Sequence, residues 1–180
     1  MLLDVRTSVL LAMLIAGLLA VFLSVSIAAY PDPLRRHLAR RALSLALQAA
    51  GWGLFGLRGE IDDAWSIPFA NALLASSFVI TLRALRGFAG KREAHPLDAP
   101  AVLLVVGLAA WFTVVAPNPP TRVLWVSLVF AVLFAESARM ALAAAPAPRP
   151  RTHRVVATVY GLMVALMVVR AIRAAFDLAS

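Results

Sequence analysis

Residues 7–31, TSVLLAMLIAGLLAVFLSVSIAAYP, run between Arg6 and Asp32 without a single charge, and the length of this stretch decides the fold. A helix of 25 residues rising ~1.5 Å per residue is longer than the ~30 Å hydrocarbon core of a bilayer. The same reading applies outward along the chain, because a charge at mid-membrane costs several kcal/mol and marks the edge of a span. Sixteen uncharged residues separate Arg41 from Arg58, 19 separate Asp63 from Arg83, and 23 separate Asp98 from Arg122. Two further apolar stretches are interrupted by charge, the first at Glu136 and the second at Arg170. The expectation is an all-α integral membrane bundle of six helices, at about 8–29, 42–57, 66–85, 99–116, 122–144 and 154–176. It forms one transmembrane domain with no soluble domain.

Composition agrees. The 180 residues are 62% hydrophobic and 14% charged, against ~45–50% and ~25% in soluble domains. Zero cysteines exclude disulfides, thiolate catalysis and cysteine-ligated metals. A cleaved leader over residues 1–30, with Ser26-Ile27-Ala28 as its cleavage site, is not expected. The apolar stretch is longer than a usual leader core, and Asp4 stands beside the one arginine that precedes it.

Helix starts are marked where an acceptor side chain precedes proline, since the acceptor takes free N–H groups and proline has none to satisfy. Asp32-Pro33, Ser66-Ile67-Pro68, Asp98-Ala99-Pro100 and Asn118-Pro119 have this form. The short connectors at 117–120 and 146–150 imply antiparallel neighbours. Small residues that let backbones approach recur as Ala12, Ala16 and Ala20, as Ala42, Ala46 and Ala50, and as Ala131, Ala135 and Ala138.

Orientation follows from arginine and lysine, which favour cytoplasmic loops. With six spans the odd loops carry 12 of the 17 basic residues. Both termini are then outward in a bacterial inner membrane. The net charge of +8 reads as this bias and as attraction to anionic lipid, not as a nucleic-acid footprint.

Two polar levels stand out. On the inner side Gln48, Glu136 and Arg139 fall at similar depth, with Glu136 and Arg139 spaced i,i+3 for pairing. On the outer side Asp62, Asp63, Asn71, Arg122, Trp125, Arg170 and Arg173 converge on one rim. That rim is either a structural ion-pair network or a shallow site for an anionic or amphiphilic ligand or a lipid headgroup. His37, His95 and His153 fall in the predicted inner loops, so no haem or metal is expected within the bilayer. No phosphate-binding glycine-lysine loop, H-E-x-x-H or G-x-S-x-G is present. Neither a cofactor nor enzymatic activity is expected.

The segments MLLDVRTSVLLAMLIAGLLAVFLSVSI, GLFGLRGEIDDAWSIPFANALL with ITLRALRGFAGKRE after it, and TRVLWVSLVFAVLFAESARM resemble the N-terminal multispanning sensor region of bacterial GGDEF diguanylate cyclases. The better matched parts are Asp62-Asp63-Ala64-Trp65-Ser66 with Asn71, the basic stretch at Arg83 and Arg86, and Glu136 with Arg139. The resemblance implies a sensory input module that passes a ligand or membrane signal to a cytoplasmic output domain making cyclic di-GMP. Homo-oligomerisation or association with that output domain is implied with it. The chain departs from the family in lacking any G-G-D/E-E-F signature and the further helix that usually returns the chain to the cytoplasm. It reads either as a piece of a longer protein or as a stand-alone relative. The alternatives of another class are an accessory subunit of a membrane complex and, third, a small transporter.

Overall fold

The computed structural model describes residues 5–143 and 151–179. Arg149, the whole 146–150 connector and Ser180, on which parts of the topology expectation rest, lie outside them. Six helices account for nearly all of the described chain: α1 (Val5–Ser26), α2 (Asp32–Gly56), α3 (Asp63–Phe88), α4 (Asp98–Ala110), α5 (Pro119–Ala143) and α6 (Arg151–Ala179). A short 3₁₀ turn, Ile27–Ala29, follows α1, and a five-residue π turn, Trp111–Val115, extends α4. Among the described residues the only β contact is an isolated bridge between Arg58 and Ile61.

Five of these helices are long and apolar enough to cross a membrane. The exception is α2, whose first ten residues carry Asp32, Arg35, Arg36, Arg40 and Arg41. Its uncharged part, from Ala42 to Gly56, is 15 residues, or ~22 Å at the helical rise.

The chain divides into two compact units, Met1–Thr81 and Leu82–Ser180. In the first, α1 and α2 pack antiparallel along their length. A β-carbon added at Gly17 would lie 3.8 Å from Ala49, and one added at Gly56 would lie 3.6 Å from Val9 near the start of α1. Ala16 and Ala20 are buried in this seam, as small residues at a close helix crossing should be. The stripe on α2 does not behave as expected, because Ala46 and Ala50 are exposed while Ala42, Ser44, Leu45 and Gly51 are buried. Gly51 is where α2 meets α3 most closely, since a β-carbon there would come within 3.0 Å of Leu74 and 3.2 Å of the Ala70 carbonyl. A buried polar knot ties the two helices as well. The Ser44 and Thr81 hydroxyls lie 2.6 Å apart, and Arg41 donates to Thr81 at 2.9 Å.

Three helix starts differ from the sequence expectation. α2 begins at Asp32 itself, with Pro31 in the cap position and no side-chain cap. α3 begins at Asp63 because Asp62 accepts from the Ala64 amide at 2.9 Å, which places Ser66 and Pro68 inside the helix. α4 begins at Asp98, but the Asp98 side chain is engaged elsewhere and does not cap its own helix. Asn118 does cap α5, accepting from the Thr121 amide at 3.0 Å.

In the second unit α5 and α6 form the main packed pair. His153, Ala157, Tyr160, Val164, Met167, Ala171 and Ala174 are the buried or half-buried side of α6, with the alternating four and three spacing of a knobs-into-holes seam. The Tyr160 ring lies against Phe134, with centroids 6.4 Å apart. Two histidines expected in loops are helical, His37 in α2 and His153 in the first turn of α6. The latter ring nitrogen sits 3.1 Å from the Ala141 carbonyl. Ala135 of the α5 stripe is exposed, whereas Ala131 is buried. The remaining faces of α1 and α6 are open and apolar, carrying Leu14, Leu18, Phe22, Leu162, Leu166 and Val169 among others.

Candidate functional site

The last turns of α3, the start of α4 and the end of α5 bring a set of charges together in the second unit. Arg83 and Arg86 are three residues apart, so their guanidinium groups leave the same side of α3. Both converge on Asp98. Arg83 Nε donates to Oδ2 and Arg86 NH1 donates to Oδ1, each at 2.7 Å. The His95 amide adds a third donor to Oδ2 at 3.1 Å. Asp98 is only 3% exposed and Arg86 is buried, while the Arg83 side chain keeps 40% exposure. A carboxylate this deep is tolerated because three donors, two of them charged, replace its water. Arg86 also reaches the Glu93 carbonyl at 3.4 Å, so the connector between α3 and α4 folds onto the pair.

A second pair lies nearby on α5. Arg139 grips Glu136 with two parallel hydrogen bonds, Nε to Oε2 at 2.7 Å and NH2 to Oε1 at 2.6 Å. The arginine is largely exposed and the carboxylate less so.

Between the two pairs is an open cavity of about 570 Å³, within the ~300–1,000 Å³ of small-molecule sites. Arg86, His95, Asp98, Glu136 and Arg139 line its charged part. Apolar side chains of α4 and α5, among them Leu104, Val129 and Val132, line the rest.

The residues of the expected outer rim divide between the units, and Asp62, Asp63, Asn71 and Arg122 are engaged locally. In the first unit Asp63 pairs with Arg58 at 3.2 Å, Asp62 caps α3, and buried Asn71 donates to the Ile67 carbonyl at 2.8 Å. In the second Arg122 donates to the Thr113 hydroxyl at 2.7 Å, Trp125 is exposed, and Arg170 and Arg173 lie exposed on α6. Of the expected inner level, Glu136 and Arg139 pair with each other, and half-buried Gln48 belongs to the first unit.

Sequence reasoning missed the role of Asp98, reading it as a cap and Arg83 and Arg86 as topology markers. The available signal was two arginines in i,i+3 register facing a short connector that ends in an acid. Among the described residues no group of histidines and acids is placed to hold a metal ion. The chain matches no protein-family model, no curated protein and no solved structure.

Proposed function

We propose that this chain is a membrane-embedded input module of a bacterial signalling protein of the cyclic di-GMP type, whose ligand-responsive part is the second unit. The observation that carries the reading is the cavity bordered by two arginine-carboxylate pairs. An input module needs two packings with different affinity for the signal. Here one occupant would touch the end of α3, the start of α4 and the end of α5 at once. Ion pairs at such a junction have discrete made and broken states, which suits a switch better than a continuously deformable core.

In this reading all six helices cross the inner membrane and both termini face outward. Supporting α2 as a crossing helix is its antiparallel packing along α1, from Ala49 beside Gly17 to Gly56 beside Val9. The basic residues support it too. With α2 crossing they divide 12 to 5 between the two sides, whereas with α2 on the surface they divide 9 to 8, which leaves no orientation signal. Reporter fusions after Tyr30 and after Gly59 should report opposite sides. The same side for both takes α2 out of the membrane.

The input role is tested by distance. Spin labels on exposed Leu97 of the connector and exposed Ala135 of α5 report the opening of the second unit in bilayers of different headgroup charge and thickness. A shift in the distance distribution with one of these variables is expected. A distribution indifferent to all of them refutes the input module.

A further inference from the structure

We propose that the cavity of the second unit binds a phospholipid with an anionic head, drawn from the surrounding membrane; this names the ligand class for the site above and so rests on that reading. The sign of the charge follows from which hydrogen-bonding groups are already used. Both carboxylates are already matched by arginine. Asp98 takes Arg83, Arg86 and the His95 amide, and both Glu136 oxygens take Arg139. A cation would meet carboxylates whose charge is already neutralised, with guanidinium groups beside them. Those guanidinium groups each have five N–H donors and are not used up by these bonds. Arg139, which lines the cavity, engages Glu136 through Nε and NH2 and keeps NH1 for a further acceptor, while Arg83 stands next to the lining, bound to Asp98 through Nε. The cavity wall holds two arginines against two carboxylates, and Arg83, bound to Asp98 from outside the lining, adds a third guanidinium. Planar donor forks of this kind suit the oxygens of a phosphate.

The tail follows from the walls. Leu104 and Val132 border the cavity yet are 52% and 68% exposed. They belong to α4 and α5, both of which can cross a membrane. Their open side therefore meets hydrocarbon, and a chain lying along them fits where a water-borne ion has no apolar part to offer. The charged end of the cavity lies at helix ends, with Asp98 opening α4 and Arg139 one turn from the end of α5. That is the depth at which a headgroup sits when its chains enter the bilayer.

The test uses the full chain in a neutral detergent, with lipid retention read by native mass spectrometry. Phosphatidylglycerol should bind one per chain and at least tenfold more tightly than phosphatidylcholine. Val132→Trp, which fills the apolar wall from an exposed position, should weaken phosphatidylglycerol binding at least tenfold with an unchanged circular dichroism spectrum. The double variant Glu136→Gln with Arg139→Gln, which leaves no carboxylate orphaned, should reduce the headgroup preference below threefold. Equal retention of the two lipids, or wild-type affinity in Val132→Trp, overturns the proposal. Competition by millimolar inorganic phosphate would show a site for soluble anions and also overturns it, as would oleate binding as tightly as phosphatidylglycerol. Phosphatidylglycerol binding with no change in the spin-label distances leaves the lipid site and removes the input module. A distance change without lipid preference does the reverse.

Discussion

Replacing Asp98 by alanine removes the acceptor shared by Arg83, Arg86 and the His95 amide. The cost is set by what stays behind. Arg86 is buried and would keep its charge without a counter-ion, and breaking one side of a buried pair typically costs ~3–5 kcal/mol. Arg83 moderates this, because its side chain is 40% exposed and can turn to water or headgroups. We therefore expect about 3 kcal/mol, near the lower bound for a fully buried pair. For a chain of this length ~1 kcal/mol moves Tm by ~2–4 °C, so the loss should be roughly 6–12 °C. Thermal unfolding of purified protein, followed by circular dichroism or by retention of the monodisperse peak, measures it. The mechanism is tested by the pair, since Arg86→Met combined with Asp98→Leu removes both charges and should recover at least half of the loss. A shift below about 2 °C for Asp98→Ala, or a double variant no more stable than the single one, would refute the account.

At Gly51, alanine should destabilise and valine more so, because the added β-carbon meets both Leu74 and the Ala70 carbonyl oxygen, and backbone cannot yield as a side chain can. Overpacking of this kind costs ~1–3 kcal/mol. Gly53→Ala, which meets only the flexible Met13 sulfur at 3.2 Å, serves as the tolerated control in the same melting assay. Ser127 is fully buried and its hydroxyl has no partner, so Ser127→Ala should be neutral or stabilising by up to ~1 kcal/mol; a clear loss of stability would mean that the hydroxyl is bonded in the membrane.

What could be read from the sequence were the features carried by neighbours in the chain. The apolar stretches are long enough to announce α1, α3, α4, α5 and α6. Asn118-Pro119 announced its own cap, and the spacing of Glu136 and Arg139 announced their pairing. The Asp98 site was not legible because its partners lie 12 and 15 residues away, across a connector whose path is set by tertiary contacts. Ser66 was misread for a related reason. An acceptor two residues before a proline is a good cap signal, but Asp62 lies four residues upstream and its bond to the Ala64 amide starts α3 earlier. The burial pattern of α2 was hidden by alanine itself, which is equally at home in a helix seam and on a lipid-facing surface, so the stripe of Ala42, Ala46 and Ala50 could not say which side is packed.

The π turn at Trp111–Val115 closes with the Ala116 amide donating to the Trp111 carbonyl at 2.9 Å, one residue wider than an α turn. Here the wide turn is the last one of the α4 rod, and the chain leaves the helix at Ala116, three residues before α5. Val105 and Ala109 hold the inward face of the regular part. Thr113 sits within the wide turn, where its hydroxyl donates to the Ala109 carbonyl and accepts from Arg122. The corner between α4 and α5 is thus fastened by one hydroxyl that serves the end of one helix and the first turn of the next. Loss of that hydroxyl would free both helix ends at once.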